Sequence, residues 1–120
     1  MNRYITLAAA IGLIGLAGCG KREGQLSGTV TFKGKPVESG EIILTPDEGR
    51  GNRGPGVMVP IERGTFRTPL KRGHWGGPYL AAVTCYKGQD AVVSGYEMQI
   101  DLPEGDATYD LVVPDEAAAN

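Results

Sequence analysis

From residue 26 onward, apolar and polar side chains alternate in short runs, the period of two that puts every second residue of a strand on one face. Leu26, Gly28, Val30 and Phe32 share a face against Ser27, Thr29 and Thr31, and Lys33-Gly34-Lys35-Pro36 ends the run as a turn. Glu41 to Thr45 predicts a second strand stopped by Pro46-Asp47, and the Gly- and Arg-bearing segment 48–56 predicts a loop. Val57 to Ile61 predicts a third strand, turning through Glu62-Arg63-Gly64 into a strand from Thr65 to Thr68. After a second loop from Pro69 to Pro78 comes a strand from Tyr79 to Tyr86, then a short edge strand over Ala91 to Val93. Tyr96, Met98, Ile100 and Leu102 define one face of the next strand. Pro103 to Asp106 predicts a tight turn into a last strand, Thr108 to Val113, followed by a frayed tail. About seven short strands with turns at this spacing predict an all-β fold, a seven-stranded antiparallel β-sandwich of the immunoglobulin-like type.

The N-terminus has a different texture. Met1-Asn2-Arg3 is a short basic start, Tyr4 to Gly18 is an apolar run, and Leu16-Ala17-Gly18-Cys19 closes it with small residues. A spanning helix needs about 20 apolar residues, so this shorter run predicts a secretory signal peptide. Leu-Ala-Gly-Cys resembles the lipobox of bacterial lipoproteins. That resemblance implies cleavage before Cys19, a diacylglyceryl group on its thiol and a palmitate-class chain on the new amine. Two or three acyl chains anchor a protein stably where one does so only marginally. The expected organisation is a signal peptide over 1–18, a lipidated Cys19 with a short tether over 19–25, a sandwich over 26–114 and a tail over 115–120. The six tether residues after Cys19 reach at most about 20 Å, which would hold the domain close to the bilayer.

Composition narrows the function. Gly (19) and Pro (8) are too frequent for a helical bundle. A net charge of -2 offers no electrostatic case for nucleic acid, and two cysteines build neither a disulfide scaffold nor a four-cysteine zinc site.

Leu26 to Val37 (a Gly-x-Val strand and a Gly-x-Pro turn), Gly40 to Pro46, Gly64-Thr65-Phe66, Gly76-Gly77-Pro78-Tyr79, and Ile100 to Leu111 around a Pro-x-Gly turn together resemble carboxypeptidase regulatory-like domains. These are transthyretin-like seven-stranded sandwiches. The matched positions are turn and core residues, so the resemblance implies a fold, with the last match read as a hairpin. It transfers no peptidase chemistry and no shared site.

The candidate chemistry is sparse. His74 and Cys85 are too few ligands for zinc, and no metal or cofactor is expected. Cys85 continues the Tyr79, Ala81, Val83 face and reads as a packed thiol. His74-Trp75, between glycines, is the best binding candidate: Trp75 either stacks on a sugar or partner from an exposed tip, or folds back to plug the sandwich end. Arg67, Lys71 and Arg72 accompany it. Six cations fall between residues 50 and 72, and eight acids without a cation follow from Asp90. These charges either form a patch for anionic headgroups, glycans or an acidic partner, or neutralise one another across strands. The expected role is a non-enzymatic lipoprotein of the bacterial cell envelope, at the outer membrane or a periplasm-facing membrane. It would serve structure or protein interaction, or alternatively bind a glycan or peptide through the loop around Trp75.

Overall fold

The computed structural model describes residues 23–119; the expected signal peptide, Cys19 and most of the expected tether lie outside the described residues. The chain is all-β, with β1 (Leu26–Phe32), β2 (Lys35–Pro36), β3 (Ser39–Pro46), β4 (Val57–Glu62), β5 (Thr65–Arg67), β6 (Gly77–Lys87), β7 (Asp90–Leu102), β8 (Ala107–Thr108) and β9 (Leu111–Val113). Single 3-10 turns cover Glu48–Arg50 and Asp115–Ala117.

The main layer is antiparallel in the order β1-β5-β4-β3-β6-β7. β1 then changes layer midway. Ser27 to Thr29 pair with β5, whereas Thr31 and Phe32 pair with β2 and Val30 to Phe32 pair with β9. The β1 pairings with β8 and β9 are parallel, an addition to the antiparallel plan. The strands fold over one core in which Tyr79, Leu26, Ile42, Leu44, Ile61 and Leu111 are the largest fully buried side chains. Two hairpin turns explain the tight β1–β2 and β4–β5 connections. Lys33-Gly34 and Arg63-Gly64 both hold positive φ at two successive residues, the type I′ geometry that matches strand twist.

Three expectations need correction. First, Ala91 to Val93 and Tyr96 to Leu102 are one strand, β7, and the interruption between them is a bulge. The register shifts between Val83 and Cys85, Gly95 takes φ 62, and the Gly95 N–H donates to the Thr84 Oγ1 at 3.0 Å. Second, the turn Pro103 to Asp106 does not close a hairpin. β7 pairs with β6, while the chain after the turn crosses to β1 and forms two short strands in place of one. Third, the tail is not frayed. Ala117 is buried, Ala118 bridges to Val93, and the Ala119 N–H donates to the Val92 carbonyl at 2.8 Å. Residues 115–119 thus cross from β9 to β7 and help close the second layer.

Candidate functional site

The sequence candidates converge on one end of the sandwich, where the loop between β5 and β6 meets the start of the domain. Gly24 and His74 exchange both backbone hydrogen bonds, at 2.7 and 3.0 Å. The Thr68 N–H donates to the Leu26 carbonyl at 2.8 Å, and the Leu26 N–H donates to the Thr68 Oγ1 at 2.9 Å. Gly73 permits this approach, because a Cβ there would overlap the Gly24 carbonyl. The loop is therefore sewn to the incoming chain.

His74 corrects an expectation, since its side chain is fully buried and belongs to the fold, not to an exposed tip. Its Nδ1 accepts from the Gly76 N–H at 2.9 Å, which puts the ring proton on Nε2, and its edge meets the Tyr79 ring at 6.3 Å. Among the described residues Nε2 has no partner in hydrogen-bond geometry. Burial lowers the His74 pKa, while the Gly105 backbone and the Asp106 charge oppose that shift. Trp75 is half-buried, between the two alternatives read from the sequence. Its backbone N–H donates to the Tyr79 hydroxyl at 3.1 Å, which in turn donates to the Pro55 carbonyl at 3.0 Å. Burial raises the Tyr79 pKa. Asn52 ties the same two loops together: its amide donates to the Pro78 carbonyl at 2.7 Å and accepts from the Gly54 N–H at 3.0 Å.

Arg67, Lys71 and Arg72 are exposed. Charge neutralisation is realised at one place among the described residues, where the 3-10 turn Glu48–Arg50 meets β7. Arg50 contacts Asp47 at 2.6 Å and Asp101 at 3.1 Å, and the other five cations of the 50–72 stretch have no ion-pair partner there. Cys85 is fully buried with its thiol pushed up to about 11 by desolvation. It lies eight residues along β6 from Gly77, roughly 26 Å at the strand rise, and so does not approach His74. Among the described residues no group of three or more His, Cys, Asp or Glu is placed to hold a metal ion.

Two open depressions lie elsewhere, and Trp75 lines neither. One, of about 530 Å³, sits over the β1, β4 and β5 surface with Thr29, Glu62, Arg67 and Asp110 on its walls. Thr29 donates to the Asp110 Oδ1 from both its N–H (3.2 Å) and its hydroxyl (2.9 Å). The other, of about 590 Å³, lies between the β1–β2 and β6–β7 turns and carries Phe32, Lys33, Lys35, Tyr86 and Lys87. Lys33 stands over the Phe32 ring at 5.4 Å. This lysine cleft was not legible in sequence. Its residues read as two separate turns, and only the layer change of β1 brings them together.

No family model matches the chain, and no curated protein matches it. Among solved structures it is similar to a DUF3823 family protein from Parabacteroides merdae, with 22% sequence identity and a TM-score of 0.49. The similarity covers 78% of this chain and 46% of that one, so the chain spans about half the length of the structure it matches.

Proposed function

We propose that the protein is a non-enzymatic lipoprotein of the bacterial cell envelope, a carboxypeptidase regulatory-like sandwich held at a membrane by acyl chains on Cys19. Its role is structural or protein-interacting. The observation that supports this reading is that the chain is already built into the domain at Gly24, bonded in both directions to His74, five positions after the cysteine of Leu16-Ala17-Gly18-Cys19. An anchor at Cys19 would pass directly into an ordered domain with almost no stalk. Burial of both His74 and Cys85, the two side chains best suited to nucleophilic or acid-base work, supports a module that binds over one that reacts.

Growth of a bacterial host expressing the full chain with an alkyne fatty acid tests the anchor. Wild type takes up label and sediments with membranes, and Cys19→Ala loses both. An unmodified Cys19 in a soluble protein overturns the reading. Crosslinking in cells followed by mass spectrometry then tests the interaction role: one recurring envelope protein supports it. Retention on purified cell-wall glycan without any protein partner would favour glycan binding through the Trp75 loop instead.

A further inference from the structure

The loop that joins β5 to β6 is fastened to the point where the chain enters the domain, and it carries unpaired positive charge. Arg67 ends β5 beside Ser27, its register partner, and Lys71 and Arg72 follow on the loop. The apex is a hydrogen-bonded turn, with the Arg72 N–H donating to the Pro69 carbonyl at 3.1 Å. That turn thrusts Leu70 into solvent at 86% exposure. Lys71 occupies the third turn position at φ 67, a conformation that favours glycine. Among the described residues no acid pairs with Lys71, so the turn presents a cation and an exposed leucine side by side.

The chain outside the described residues says what faces this turn. From Cys19 to Gly24 the backbone spans at most about 18 Å, and Gly24 is bonded to His74, two residues from Arg72. The Gln25 side chain also donates to the Arg72 carbonyl at 3.0 Å. A lipid anchor on Cys19 therefore holds this loop, in preference to the distant β6–β7 turn, against the bilayer. Glu23 and Asp106 lie beside the incoming chain, and Glu62 and Asp110 share a depression with Arg67, yet among the described residues none of them forms an ion pair with Arg67, Lys71 or Arg72.

We infer that the loop from Arg67 to Arg72 is a membrane-docking surface, with Arg67, Lys71 and Arg72 on the anionic headgroups of a phospholipid bilayer and Leu70 inserted at the interface. The inference rests on the lipoprotein reading and adds the orientation of the domain. Basic residues near an anionic surface each strengthen association about fivefold, within a Debye length and in a salt-dependent way.

Trp75 is the single tryptophan and sits three residues beyond Arg72, so it reports the docking. The full-length lipoprotein is purified from membranes, its N-terminal peptide is checked by mass for acylation, and it is reconstituted into vesicles. These contain phosphatidylethanolamine with either phosphatidylglycerol or phosphatidylcholine, and a headgroup spin label. Quenching of Trp75 is expected to be stronger with phosphatidylglycerol and to fall to the phosphatidylcholine level in high salt. In Lys71→Gln/Arg72→Gln the ratio of docked to undocked domains falls roughly 25-fold. Lys71→Gly separates docking from folding, because it relieves the backbone strain: stability is kept or raised while quenching drops. Equal quenching in both vesicle types by an acylated protein overturns the docking surface and leaves the anchor standing. An unacylated Cys19 overturns both. Loss of quenching in Lys71→Gly only in step with lost stability overturns the surface as well.

Discussion

Tyr79→Phe isolates the hydroxyl that joins two loops. The Tyr79 side chain is fully buried, and its oxygen stands between the Trp75 N–H (3.1 Å) and the Pro55 carbonyl (3.0 Å). Phenylalanine keeps the ring, its core packing and its edge contact with His74. What is lost is two hydrogen bonds at about 1 kcal/mol each, with a further cost because both backbone partners are partly shielded from water. The expected destabilisation is about 2–3 kcal/mol, or a melting temperature lower by roughly 10–20 °C in a domain of this size. Urea titration followed by Trp75 fluorescence measures it, with far-UV circular dichroism as a second probe. A loss below about 0.5 kcal/mol would refute the reasoning, for it would mean that water replaces the hydroxyl at both partners and that the two loops are not locked through Tyr79.

Other outcomes follow from the same structure. Gly28→Ala should cost about 3 kcal/mol or more, because the new Cβ would overlap the Tyr109 carbonyl and no rotamer relieves a clash with backbone; an unchanged denaturation midpoint would show that β1 and the crossing chain can separate freely. Cys85 should resist thiol reagents at pH 8 and react once urea unfolds the chain. Its folded pKa of about 11 exceeds the ordinary 9, so its contribution is full below about pH 9 and lost as pH rises to about 11, a total of about 3 kcal/mol. His74 acts at the other limb: its folded pKa lies below the ordinary 6.5, so stability is full above that value and declines as pH falls through the folded pKa. Denaturation midpoints that coincide at pH 7.5 and 5.5 would contradict the burial of the His74 ring.

Strands were legible wherever one face is buried. The alternation of Val57, Val59 and Ile61, and of Tyr79, Ala81, Val83 and Cys85, is the buried pattern of β4 and β6. Pairing partners that depend on distant chain were not legible. Pro103 to Asp106 carries good turn residues, and the same residues serve a hairpin or a crossover equally well; the choice belongs to β1, far away in sequence. The tail lacks large apolar residues, so its docking through Ala117 and Ala118 leaves no periodic trace. His74 misled for a local reason, since a polar ring flanked by glycines has the composition of a loop tip. Its burial comes from two glycine contacts: Gly73 lets the loop meet the Gly24 carbonyl, and Gly24 lets the turn at Gly105 close over the same segment. The exposed cations were readable as a cluster, but their position beside the incoming chain was not.

β1 is the first strand of the domain to be synthesised, yet one of its edges is completed by the last two. The Thr29–Asp110 hydrogen bonds close over a sequence separation of 81 residues. A chain emerging N-terminus first can form β1 against β2 and β5 while the edge reserved for β8 and β9 stays open. An open edge is a template for pairing with other chains, and such long-range closure makes folding slow. Arrival of the C-terminal residues is therefore the event that seals the domain, and any chain cut short before Leu111 keeps its first strand available to whatever strand it meets next.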